Sequence, residues 1–162
     1  SEIILSIFIV FLMFLFNKNI IDIQITVATL DDQDDQVMSA MNALGYRHPE
    51  GIWGDHAPPG FVGPDTHWQK FFFRPPHGQR PTNTHVRVQG RANQRYPLLF
   101  RDYLRTRHAT AKASAQLKHR LEQHLADIDM YSYVKDPAVD LIYFPAEAWA
   151  EQTGWQPSTS DA

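Results

Sequence analysis

The chain has 162 residues, 43% of them hydrophobic, with 15 Lys and Arg against 18 Asp and Glu, a net charge of −3, and no cysteine. That length suits one domain around one substantial core and leaves no room for two enzymatic domains. The slightly acidic balance gives no general pull toward nucleic acid, and without thiols there are no disulfides, zinc–thiolate sites or thiol nucleophiles, which suits a reducing, cytoplasmic setting.

The chain opens on an apolar leader, residues 1–19. From Ile3 to Phe16 only Ser6 is not apolar, and Glu2 is the only charge before Lys18. A bilayer span needs about 20 apolar residues, and a signal peptide wants a basic start and a small-residue cleavage site. Three readings stay open for the leader: a buried segment or strand of this domain, a membrane or signal-like element, or sequence foreign to the domain. Fourteen nearly continuous apolar residues need cover, so the leader is expected beside the next strand, on the apolar sheet face, or in a homo-oligomer contact.

Ile20 to Val27 then alternates strictly, with Ile21, Ile23, Ile25 and Val27 on one face and Asp22, Gln24 and Thr26 on the other, the pattern of a half-buried strand. Asp31 to Asp35 reads as a cap and acidic first turn for a helix carrying Val37, Met38, Met41 and Leu44, with Gly45 as its stop. Pro49 to Thr66 is dense in Gly and Pro, the composition of a long loop near the site or a mobile flap. His67 to Arg74 reads as a strand with Trp68, Lys70, Phe72 and Arg74 on one face. Asn83 to Val88 reads as another, with Asn83, His85 and Arg87 together, and Pro75 to Pro81 is the hairpin turn between them.

Apolar stripes at helical spacing fill the C-terminal half: Leu99, Phe100, Tyr103 and Leu104; then Leu117, Leu121 and Leu125; then Val139, Ile142, Tyr143, Ala146, Trp149 and Thr153, closed by Gly154. Pro137 is suited to start the last helix, and Pro145 predicts a bend within it. If these helices cover the apolar sheet face, the opposite face presents Asp22, Gln24, Lys70, Arg74, His85 and Arg87 together. That is a mostly basic patch fitted to a phosphate or carboxylate, whose oxygens Arg forks bind in pairs. Cross-strand salt bridges on a solvated face are the plain alternative.

The phrases Ile20-Ile21-Asp22-Ile23, Ala43-Leu44-Gly45-Tyr46, Asn83-Thr84-His85-Val86-Arg87-Val88, Asn93-Gln94-Arg95-Tyr96, Leu99-Phe100-Arg101-Asp102-Tyr103-Leu104-Arg105 and Tyr133-Val134-Lys135-Asp136-Pro137 occur in this order. Over roughly residues 20 to 155 the sequence resembles the GrpB family. The resemblance implies an α+β fold of the nucleotidyltransferase superfamily, a small mixed sheet backed by C-terminal helices, over residues 20–156 with a short tail at 157–162. Because some relatives are fused to dephospho-CoA kinase, it also implies nucleotide or coenzyme A metabolism.

Family members usually carry a Gly-Ser-Thr loop before the first of these strands, where this chain has Phe11 to Asn19. By the superfamily pattern, Asp22 falls where a first metal carboxylate would, Gln24 where a second would, and His85 on the strand where a third would be sought. Magnesium wants oxygen ligands, so Asp22 is at most a lone metal ligand and ordinary nucleotidyl transfer is not expected. Two classes of function follow, and nucleotidyl transfer returns as an alternative if the true N-terminus carries a Gly-Ser loop. In the first, Gln24, Lys70, Arg74 and Arg87 bind a phosphorylated small molecule or nucleotide without chemistry. In the second, Asp22 orients His85 as general acid or base on the same ligand.

Overall fold

The computed structural model describes residues 6–8, 20–30, 35–125 and 128–158, so most of the leader, the run Asp31 to Asp34 and the last four tail residues lie outside the described part. Among the described residues four strands form one mixed sheet: β1 (Ser6–Phe8), β2 (Ile21–Val27), β3 (Phe71–Phe73) and β4 (Thr82–Val88), in the order β1-β2-β4-β3. The central pair β2 and β4 is parallel, with Asp22 beside Asn83, Gln24 beside His85 and Thr26 beside Arg87. At the edges, β3 pairs antiparallel with β4, Phe72 opposite His85. On the other side Ser6 to Phe8 of the leader pairs antiparallel with Thr26 to Gln24, which covers that part of the β2 edge with backbone hydrogen bonds.

The apolar sheet face packs on α1 (Asp35–Ala43). Val27, Phe73, Val86 and Val88 meet Met41 there, with Ile25, Val37 and Met38 around them. The helix ends as glycine dictates: Gly45 takes φ 79°, its N–H reaches the Asn42 carbonyl, and the Tyr46 N–H reaches Met41. Leu44, expected on the buried stripe, falls in this turn and is exposed. The strand expected from His67 shortens for a similar local reason. Pro64 opens a 3-10 turn over Asp65–Trp68, and the extended register resumes only at Phe71.

The C-terminal helices are α2 (Ala92–Thr106), α3 (His108–His124) and α4 (Ile128–Thr153). They form a second core of Leu99, Phe100, Tyr103, Leu104, Ala146 and Ala150, flanked by Val139, Ile142, Tyr143 and Trp149. Pro137 was expected at a helix start, but α4 begins a good two turns earlier and runs through both Pro137 and Pro145. Leu117 points largely outward while Leu121 of the same stripe is buried. The larger difference concerns sides. Among the described residues α1 is the helix that backs the apolar sheet face, whereas the C-terminal helices, which carry their own core, approach the polar face.

Arg101 lies buried in that helical core, its Nε 2.8 Å from Asp102 Oδ1, while Trp155 Nε1 donates to Asp102 Oδ2. Arg101→Met leaves a half-buried carboxylate with fewer donors and removes a buried side chain from the helical core, and should cost about 1–3 kcal/mol in urea unfolding. Ligand affinity should hardly change; a large affinity loss in a fully stable variant would move Arg101 into the site.

Candidate functional site

Strict alternation along β2 and β4 sends Asp22, Gln24, Asn83, His85 and Arg87 to one side, and Lys70 and Phe72 join them from the β3 arm. Asn83 Nδ2 donates to Asp22 Oδ1 at 2.9 Å, and Arg87 Nη1 donates to Gln24 Oε1 at 2.7 Å. Gln24 is fully buried and its amide donates to the Gln94 carbonyl of α2, which ties the strand to the helical half. Arg74 stays at the exposed rim, its guanidinium 5.6 Å from the Phe72 ring centre.

At the centre stands a carboxylate that the strand pattern does not foresee. Asp55, from the Gly- and Pro-rich loop, accepts from Arg87 Nε at 2.9 Å and Nη2 at 3.1 Å, from Lys70 Nζ at 2.5 Å and from Asn93 Nδ2 at 3.1 Å. Burial alone would raise its pKa, but the Arg87 and Lys70 charges overcome that and hold the carboxyl far below the usual carboxylate range. Burial also lowers Lys70, which Asp55 opposes. The signal available beforehand was indirect: two cations on a face destined for burial require a counter-charge, and Asp55 is the acid set between Gly54 and His56 in the adjacent loop.

His85 packs its ring 5.1 Å from that of Phe72, accepts at Nδ1 from Arg87 Nη2 at 3.3 Å, and sets Nε2 4.0 Å from Asp22 Oδ1, beyond hydrogen-bond reach. Burial, then the charges of Arg87 and Lys70, push its pKa well below the ordinary 6.5, so the ring is neutral at pH 7. Lys135 on α4 adds to that push. Lys118 on α3 is drawn down to about 8 by burial and by Lys135, with Asp22 opposing. The charges of both lysines are thus felt on the side of the sheet where Asp22 and His85 stand. Neither belongs to the patch expected from the sequence, and Lys135 Nζ lies 3.6 Å from Asp136 Oδ1.

A magnesium centre does not fit these donors. Asp22 has Asn83 on one oxygen, Gln24 Oε1 is taken by Arg87, and the other nearby carboxylate, Asp55, is enclosed by cations. Among the described residues no three His, Asp or Glu side chains converge as metal ligands, and no helix is long and apolar enough to cross a membrane.

Comparison with known proteins bears on the chain as a whole. Residues 14–144 match the family model described as GrpB protein. The chain is 38% identical over 151 residues to the dephospho-CoA kinase of Mycolicibacterium paratuberculosis, covering 86% of this chain and 37% of that protein. It is 34% identical over 152 residues to the dephospho-CoA kinase of Mycobacterium leprae, covering 86% and 36%. It thus spans little more than a third of the length of these relatives. Among solved structures it is similar to the conserved protein GrpB from Enterococcus faecalis, with a TM-score of 0.58 and 25% identity, covering 82% of this chain and 73% of that one.

Proposed function

The chain belongs to the GrpB family, with the family's nucleotidyltransferase-like α+β fold, and from that premise we propose that it binds a phosphorylated small molecule or nucleotide without transferring a nucleotidyl group. On this reading the ligand sits between the polar sheet face and helices α3 and α4, in the cytoplasm, and the dephospho-CoA kinase relatives support a nucleotide or coenzyme A context for it.

The observation that carries this reading is a charge count. Buried Lys70 and Arg87 contribute two positive charges and Asp55 returns one negative, which leaves the network at +1. Lys118 and Lys135 add cations nearby, each with carboxylates of its own, Asp22 and Glu122 for Lys118 and Asp136 at 3.6 Å for Lys135, so the surplus rests on the buried network. A low-dielectric cleft with a cationic surplus favours a multiply charged oxyanion. Asp22 and Asn83 are then available to a ligand hydroxyl, and Arg74 waits at the rim. Binding is favoured over acid–base chemistry because the lone pair a neutral His85 would use, on Nδ1, already faces an Arg87 N–H.

ADP and dephospho-CoA titrated calorimetrically into the full chain test this. Lys118→Met and Lys135→Met should each weaken binding about ten- to a hundredfold, the worth of one charge-assisted hydrogen bond. Affinity should also fall between pH 8 and 10. A bound anion favours protonated Lys118, whose pKa of about 8 means the free protein loses that proton across this range, while phosphate, with its pKa of about 6, keeps constant charge. No binding, or binding indifferent to both substitutions, would overturn the proposal.

A further inference from the structure

We infer that Arg87, Lys70 and Asn93 form an oxyanion site for a phosphate group of the ligand, and that Asp55 is a built-in occupant which the phosphate displaces. This inference rests on the binding function proposed above and adds how the site is guarded. The Asp55 carboxylate is held as a ligand's would be, by a two-pronged Arg contact at 2.9 and 3.1 Å, with Lys70 on Oδ1 and Asn93 on Oδ2. Such a fork takes the paired oxygens of carboxylate and phosphate alike.

The occupant is one charge short of its cage. Two cations enclose one carboxylate, whereas a phosphate monoester carries about −1.5 to −2 at pH 7 and comes nearer to balancing them.

Asp55 also arrives on a loop suited to giving way. No helix or strand interrupts it between α1 and the 3-10 turn. Gly51 and Gly60 flank Asp55 at φ 80° and 83°, in the left-handed region that glycine enters freely. Near Asp55 the loop is held by the Asp55 N–H on the Trp68 carbonyl at 2.8 Å, the Trp53 carbonyl on the Lys70 N–H at 3.0 Å, and a strap in which His56 Nε2 lies 2.8 Å from buried Asp140 Oδ2 of α4. His56 itself is exposed, so the strap can be cut without disturbing the cage.

The test uses the full chain with inorganic phosphate as probe, followed by 31P NMR and thermal melting. Asp55→Ala, refolded in phosphate if necessary, should bind phosphate about tenfold or more tightly than the parent, because no fraction of the site is then held closed. Its lost melting temperature should return as phosphate is added. Adding Arg87→Met to Asp55→Ala should abolish both gains. If Asp55→Ala does not fold, His56→Ala decides: loosening the loop should tighten phosphate binding, and unchanged or weaker binding overturns the inference. It is likewise overturned if Asp55→Ala shows no gain, or keeps its gain without Arg87. In those cases ADP binding that still depends on Lys118 and Lys135 leaves the proposed function standing, whereas a parent that binds neither ADP nor phosphate sinks both.

Discussion

Replacing Asp55 by Asn should cost the fold about 3–5 kcal/mol in phosphate-free buffer, the range for removing one partner of a buried ion pair. The loss arises because Arg87 and Lys70, both 7% exposed, remain in place with no counter-charge. Against a total stability of about 5–15 kcal/mol, such a variant is near unfolding. The parent's acid sensitivity follows from the same contact. Asp55 titrates lower in the folded chain than its ordinary 3.8, so the folded state binds fewer protons there, and its contribution is complete above that pH and drains away as pH falls below it. His85 adds to this at higher pH, since a folded pKa below 6.5 means stability is lost as pH falls from about 6.5. Urea midpoints from pH 7 to 3 should show both phases in the parent and the lower one much reduced in Asp55→Asn. An unchanged midpoint at pH 7 would mean that the pair contributes nothing to stability.

Phe73→Ala should cost about as much, roughly 3–5 kcal/mol, for a different reason. Phe73 is fully buried between the sheet and α1, against Val86 and Met41, and its removal leaves a cavity in the smaller of the two cores. The helical core of Leu99, Phe100 and Ala146 does not include it. Hydrogen exchange on this variant should therefore quicken first in β2, β4 and α1, and only later in α2 and α4. Uniform loss of protection would show that the two cores unfold as one unit.

What the sequence made legible is what strand periodicity can carry. Asp22, Gln24, His85 and Arg87 share a face because side chains alternate, and the β2–β4 register then fixes which of them are neighbours. Asp55 was illegible because a loop has no period: its place depends on contacts with Trp68 and Asp140, distant in sequence. That the charges of Lys118 and Lys135 reach Asp22 and His85 was not legible for a third reason. Helical spacing tells which side of a helix is apolar, but not which sheet face that helix will meet. The C-terminal helices bury their stripes against one another, so their charged sides were left to turn toward the polar face. Pro137 misled at α4 because the first-turn preference is a tendency, and packing of the helix on α2 and α3 overrides it.

The central claim, that a phosphorylated ligand occupies the cleft between the polar sheet face and α3 and α4, is tested most directly by amide NMR of the full chain titrated with ADP. The account predicts saturable shifts concentrated at Asn83 to Arg87, at Asp22, and around Lys118 and Lys135. Shifts confined to the exposed side of α4 at Tyr133, Leu141 and Phe144, or no shifts at millimolar ADP, would contradict it.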